Sequence, residues 1–475
     1  MKVLYVSSEA LPFAASGGLA DVAGSLPRAL RTRLIGCRVV MPLYESVPQE
    51  MRENMTFLTS LSVPVSWRRQ YCGVFEAKVN GVIYYLLDNQ YYFKRQGMYG
   101  HYDDAERFAF FSRAVLEMLP HIGFKPDIIH VNDWQGALAP LYYSLFYANR
   151  EGYEGIKTVM TIHNIQYQGK YGMELLEDVL GVPAEAASMV EYDGCVNFMK
   201  AGIESADKVT TVSPTYAQEI LDPWYAWGLE SILQARDWKV SGILNGIDTD
   251  SYNPETDEQV FANYTVQTVA DGKAANKKAL QERLNLPVRE DVPMIGMVTR
   301  LAGHKGLDLV KYVIEDILAK DVQMVILGSG EWVYENFFRE LAAKYPEKFS
   351  YCVGFVPELA HKIYAAADIF LMPSKSEPCG LAQMVACRYG TLPVVRETGG
   401  LKDSIRDCGD GEGFGFTFQT YNAGDMLAAV ERALGAYANK SDLSLLRQRC
   451  MEQDFSWGRS ANAYIRLYRE LLKGE

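Results

Sequence analysis

The 475-residue chain has little histidine, six residues in all, and none stands near a cysteine at zinc-ligand spacing. Its eight cysteines (Cys37, Cys72, Cys195, Cys352, Cys379, Cys387, Cys408 and Cys450) are scattered and form no C-x-x-C pair. That pattern argues against a disulfide framework and a structural metal, and predicts a reduced, cytoplasmic protein without a metal ion. No stretch of about 18 apolar residues is present, so no membrane span is expected. Ser7, Ser8 and Glu9 interrupt the first apolar run too early for a secretory signal. Basic residues are outnumbered, 47 Lys and Arg against 59 Asp and Glu, for a net charge of −12. A nucleic-acid partner, which calls for a basic domain or stripe, is therefore not expected. A local cationic pocket stays compatible with that balance. Internal repeats and low-complexity tracts are also missing, which excludes a solenoid.

What is present is enough apolar sequence for two cores. Hydrophobic residues make up 48% of a chain too long for one ordinary domain, so two units of about 200 residues each are the expectation. Short apolar runs at Val3–Val6, Arg38–Met41, Ile83–Leu87, Ile128–Val131, Thr158–Ile162 and Val209–Val212 read as buried parallel strands. The stretch Ala105–Met118, with Phe108, Phe111, Val115 and Met118 at spacings of three and four, reads as a helix. A second series follows at Met294–Val298, Gln323–Leu327, Tyr351–Val353, Ile369–Met372 and Leu392–Val395. Such alternation predicts α/β architecture: two Rossmann-like doubly wound domains, 1–240 and 241–455, with the active site in a deep cleft between them.

Three loops carry chemistry. After the first strand come Ser16, Gly17, Gly18, Leu19, Ala20 and Asp21, a glycine pair opening a helix, which aims backbone N–H groups at an anion and admits a ligand without a Cβ in the way. Arg300 and Lys305 lie five apart across a turn between a strand and a helix. Taken alone they are either solvated charges or a clamp on a diphosphate, where glycosyl transfer most needs positive charge. Glu377, Pro378, Cys379, Gly380 and Leu381 again join a strand to a helix. Here Glu377 either stabilises the helix dipole or accepts from sugar hydroxyls, and Cys379 reads as a packed thiol. Thr398-Gly399-Gly400-Leu401 is a further loop at the same sheet edge. Asp248-Thr249-Asp250 has D-x-D spacing but reads as a turn or cap. Gly328-Ser329-Gly330 lacks the third glycine of a dinucleotide site, where Val333 stands. No paired carboxylates suggest a hydrolase.

In order along the chain, these loops are accompanied by Tyr91–Gly100, Ala105–Phe111, His130–Gln135, Thr161–Gly169, Leu244–Asp248 and Phe455–Trp457. Together they resemble the bacterial ADP-glucose-type glycogen synthases and plant starch synthases, over the whole length. The resemblance implies a GT-B glycosyltransferase whose last helix, 456–475, crosses back to the N-terminal domain. It implies retaining transfer of glucose from ADP-glucose to the non-reducing end of an α-1,4-glucan such as glycogen, with no cofactor and no metal. By carry-over Arg300 and Lys305 hold the diphosphate. Gly18, Gly380 and Leu381, within the loops of Ser16, Gly17 and Cys379, donate amides. Glu377, His163 and Asn164 surround the glucose, and Asp21 and Asn245 sit near the sugar and diphosphate. Asp133 lines the cleft, and Phe355 stacks on the adenine. No side chain serves as nucleophile; the leaving phosphate helps remove the acceptor proton on the same face.

The chain departs from that pattern at five positions. Ala15 and Ser16 replace the lysine and threonine of the family's Lys-Thr-Gly-Gly, Asn132 a histidine, Lys375 an arginine and Ser376 an aromatic residue. Two readings result: an active ADP-glucose-dependent enzyme, or a weakened paralogue that binds glucan or uses another donor such as UDP-glucose.

Overall fold

The computed structural model describes residues 1–354 and 356–474, which form two compact units. The first comprises residues 1–246 together with 457–474, the second residues 247–456. In the first unit, nine strands make one sheet: β1 (Lys2–Val6), β2 (Gly36–Pro42), β3 (Thr56–Val65), β4 (Arg68–Val79), β5 (Val82–Asp88), β6 (Ile128–Asn132), β7 (Lys157–Ile162) and, after a small side sheet, β11 (Lys208–Thr211) and β12 (Val240–Gly242). The side sheet contains β8 (Lys170–Tyr171), β9 (Glu191–Tyr192) and β10 (Cys195–Asn197). The main order is β12-β11-β7-β6-β1-β2-β5-β4-β3. Seven strands are parallel, and β4 and β3 extend the sheet antiparallel. Val3, Leu4 and Val6 of β1 and Ile128, Ile129 and Val131 of β6 are fully buried, as strands covered on both faces require.

The second unit has a six-stranded parallel sheet, order β15-β14-β13-β16-β17-β18. Its strands are β13 (Met294–Val298), β14 (Gln323–Gly328), β15 (Phe349–Val353), β16 (Ile369–Met372), β17 (Leu392–Arg396) and β18 (Phe416–Phe418). Its core joins Ile295, Met324, Ile326 and Leu371 to Val310, Ile314 and Ile317 of the helix Leu307–Leu318.

The division between units falls after Gly246 rather than at 240, because β12 pairs with β11 and stays in the first sheet. The chain rejoins the first unit at Trp457, where the helix Trp457–Lys473 packs on α1 (Gly18–Arg31). Tyr468 of that helix lies 2.6 Å, hydroxyl to Nδ1, from His130 on β6, and His130 Nε2 lies 2.6 Å from Thr161 on β7. Burial depresses His130 to about 3, so it is a neutral tie between helix and sheet.

Candidate active site

In the first unit β1 continues to β2 on one side of the sheet, while β6 lies on the other. The loops leaving β1 and β6 therefore diverge at a topological switch point, where doubly wound sheets bind ligands. The β1 loop carries Glu9, whose buried carboxylate accepts from the backbone N–H of Ser16 and of Gly17. Burial raises the Glu9 carboxyl despite these bonds. The anchored loop presents Ala15, Ser16, Gly17 and Gly18 to solvent at the start of α1, with Asp21 in its first turn.

The β6 loop turns at Asp133, a non-glycine residue held at φ +54°. Its Oδ1 accepts from the N–H of His163 at 2.7 Å and of Asn164 at 3.4 Å, joining the β6 and β7 loops. Burial, with a small contribution from the Glu9 charge, outweighs these bonds and raises Asp133 to about 7. Burial also lowers His163 to about 3, so its imidazole is neutral, with Nε2 2.8 Å from Asn132 Oδ1. Asn164 Oδ1 accepts from Gln166 N–H at 3.0 Å. Beyond β12, the buried Asn245 has an Oδ1 with no partner among the described residues. An amide oxygen left unpaired in this way is suited to a ligand donor.

In the second unit the switch point lies between β13 and β16. Arg300, His304 and Lys305 follow β13; Ser374, Glu377 and Cys379 follow β16. Lys305 Nζ bonds Glu377 Oε2 at 2.7 Å, and Ser374 Oγ donates to the same oxygen at 2.9 Å. Burial alone would raise Glu377, but Lys305, the Ser374 hydroxyl and His304 more than offset it and hold the carboxyl below its usual range. His304 is itself lowered by burial and by the adjacent Lys305. The Arg300 side chain is exposed and forms no ion pair among the described residues. The β17 loop backs the site: Gly400 N–H donates to the Glu377 carbonyl at 3.1 Å, and a Cβ on Gly399 would stand 2.0 Å from that oxygen. Gln383 Nε2 donates to the carbonyls of Cys379 and Gly380, fixing both ahead of the helix Ala382–Arg388. The Cys379 thiol is buried.

The structure thus gathers Ser16, Gly17, Gly18, Asp21, Asp133, His163, Asn164 and Asn245 on loops at one sheet edge, and Arg300, Lys305, Glu377, Cys379, Gly380 and Leu381 on loops at another. Phe355 lies outside the described residues. Asp248 turns its carboxylate to Asp250 N–H, Ser251 N–H and the Ser251 hydroxyl, so it caps a turn. Among the described residues no cluster of three or more His, Cys, Asp or Glu is arranged to hold a metal, and no helix is long and apolar enough to cross a membrane. Sequence reasoning passed over Glu9, Ser374, His304 and Gln383. Glu9 had a readable signal, a carboxylate placed directly after a buried strand and before a glycine pair.

Two Rossmann-like units, the second with Lys305 paired to a buried Glu377 at its switch point, together with the family matches that follow, place the chain among the glycosyltransferases. Residues 2–235 match the starch synthase catalytic domain, and residues 280–444 match the group 1 glycosyl transferases. Over 479 aligned residues the chain is 50% identical to the glycogen synthase of Geobacillus thermodenitrificans, covering 100% of this chain and 99% of that one. It is 49% identical to that of Desulforamulus reducens, with 99% of each covered. The solved catalytic domain of starch synthase IV from Arabidopsis thaliana, bound to ADP and acarbose, superposes with a TM-score of 0.92 at 34% identity, covering 99% of each chain. Sucrose-phosphate synthase from Thermosynechococcus elongatus shares the fold, with a TM-score of 0.61 at 17% identity over the full length of both. The chain belongs to the glycogen synthase family, hexosyltransferases of the GT-B fold.

Proposed function

We propose that the enzyme transfers glucose from ADP-glucose, with retention of configuration, to the non-reducing end of an α-1,4-glucan such as glycogen. The observation that carries this reading is the Lys305–Glu377 pair at the switch point of the second sheet. A lysine beside an exposed arginine suits a departing diphosphate, while a buried, ionised carboxylate suits sugar hydroxyls. In this assignment Arg300 and Lys305 neutralise the ADP leaving group as the glycosidic bond breaks. The amides of Gly18, Gly380 and Leu381 bind phosphate oxygens, and Glu377, His163 and Asn164 orient the glucose. Asp21 and Asn245 complete the donor's surroundings, Asp133 supports the His163 loop, and Phe355 is assigned to the adenine. The hydroxyl of the acceptor enters from the face the diphosphate leaves, and a phosphate oxygen takes its proton. The proposal includes no metal and no cofactor, since the two cations supply the charge that the leaving group needs. Eight free thiols fit a reducing cytoplasm.

Ala15 favours a second reading. In the place of the family's lysine it removes one charge from the donor loop, and the enzyme then is a weak synthase, a user of UDP-glucose or a glucan-binding paralogue. Initial rates of transfer to glycogen from ADP-glucose and from UDP-glucose separate these. Saturable transfer from ADP-glucose is expected. Transfer from UDP-glucose alone reassigns the donor, and transfer from neither, with glycogen still bound, identifies the paralogue.

A further inference from the structure

Asn132 is the last residue of β6, fully buried, and all of its polar atoms are engaged. Its Nδ2 lies 2.9 Å from the carbonyl oxygen of Val6. A carbonyl only accepts, so that atom is the amide nitrogen, and the side chain cannot be turned over. Its Oδ1 consequently faces two groups, the Tyr5 hydroxyl at 2.9 Å and His163 Nε2 at 2.8 Å. An amide oxygen has two lone pairs and no proton, so both neighbours must donate to it. His163 therefore carries a proton on Nε2. Being neutral in its half-buried setting, it has none on Nδ1, and Nδ1 makes no hydrogen bond among the described residues.

We propose that Asn132 is a positioning residue that fixes His163 as its Nε2–H tautomer, so that Nδ1 faces the donor hexose as an acceptor for one of its hydroxyl protons. This rests on the assignment of His163 to the hexose made above. The device belongs to this chain's own residue: a histidine at position 132 has at most one acceptor nitrogen, and cannot accept from Tyr5 and His163 while donating to Val6. The β1 strand takes part twice, through the Val6 carbonyl and the Tyr5 hydroxyl, so the tautomer is set where the two switch-point strands pair, Val6 opposite Val131.

The protein's six histidines make a direct test practical. Nitrogen-15 spectra of the histidine-labelled full chain, with His163 assigned through His163→Gln, should show a neutral ring protonated on Nε2 at pH 7. A proton on Nδ1, or an imidazolium, overturns the proposal whether or not the enzyme transfers glucose. Asn132→Asp then places a carboxylate against the ring, favours imidazolium and turns Nδ1 into a donor. We expect kcat/KM for the sugar nucleotide to fall about tenfold, one hydrogen bond's worth. We also expect the rate profile to gain, relative to wild type, an acid limb between about pH 6 and 8, where a carboxylate-paired histidine titrates. His130 and Asp133, the latter held at about 7 with Glu9 acting on it, lie against His163 in both proteins, so the variant is read against the wild-type profile. Tyr5→Phe disturbs the same buried network without changing the tautomer, and should keep the wild-type profile. A rate and pH profile in Asn132→Asp indistinguishable from wild type overturn the proposal, as does a new acid limb shared equally by Tyr5→Phe. Where Asn132→Asp fails to fold, Asn132→Ala removes the acceptor and should leave His163 as a mixture of tautomers; a single Nε2–H species there also overturns it. If wild type transfers glucose from neither donor, the functional reading and the hexose contact fall together, and the spectrum still decides the tautomer.

Discussion

The ion pair of Lys305 with Glu377 makes opposite demands on stability and on activity. Lys305→Ala leaves a buried carboxylate without its cation, a cost of about 1–3 kcal/mol that a domain of this size tolerates. The same substitution removes charge from the leaving diphosphate, and a loss of about 10²–10³ in kcat is expected. Glu377→Ala should also reduce transfer by orders of magnitude with the fold intact; calorimetry beside initial rates checks both. Glu377 is held below its unfolded value, so its contribution to stability is present above the ordinary carboxylate range and is lost as pH falls through the lower folded value. Asp133 has the opposite sign. Its folded value, about 7, lies above its unfolded one, so the native state loses stability as pH rises from about 4 to 7. Asp133→Asn should therefore melt higher than wild type at pH 8, with the gap closing by pH 4, while losing activity. Melting curves across that range decide the matter. At Ala15, Ala15→Lys restores a cation to an exposed loop, and kcat/KM for the sugar nucleotide should rise roughly tenfold or more, the worth of one charge-assisted contact.

Among the loops, the glycines divide into two kinds. A Cβ on Gly399, at φ +44°, would collide with the Glu377 carbonyl, so the fold itself demands that glycine. Gly17 and Gly18 have nothing within 4 Å of an added Cβ, and Gly17 has an extended φ of −168° that any residue adopts. Among the described residues nothing requires a glycine at either position, as the ligand approach proposed above would. Gly18→Ala should accordingly leave the melting temperature unchanged or raised, since alanine favours the first turn of α1, and should lower transfer from the sugar nucleotide. An unaltered rate would remove the amide of Gly18 from the site. Most parallel strands of both sheets were legible because burial on both faces makes each one a continuous apolar run; β12 and β18, three residues each, were not. The β3–β4 hairpin was not, since its alternating polar and apolar residues offer no such run, and its turn carries Ser66 at φ +52° instead of a glycine. The loops were readable where a glycine or a paired charge marks them. Ser374 and Gln383 were not, because a serine or glutamine acquires its role only from the oxygen it meets.

For the molecule as a whole, the sequence told of two sheets but misplaced their division by six residues, since the three-residue β12 is too short to show a periodicity. The helix Trp457–Lys473 matters more at this scale. It supplies Tyr464 and Tyr468 to the face of the first sheet and accepts Arg33 Nε on Asn462 at 2.7 Å. Residues 247–456 contain a complete core and should fold when expressed alone, with one cooperative thermal transition. Residues 1–246 without that helix should not, because His130 and the surrounding tyrosines lose their cover.

Because the first unit is interrupted by the second and resumed at Trp457, the order of synthesis and the order of completion are reversed. On the ribosome, residues 247–456 can close their core while the earlier-made sheet still waits for a helix not yet translated. Most tandem proteins finish their N-terminal domain first; here the domain begun first is the last to be finished. During that interval the face around Tyr5 and His130, which the last helix covers in the finished protein, lacks its cover.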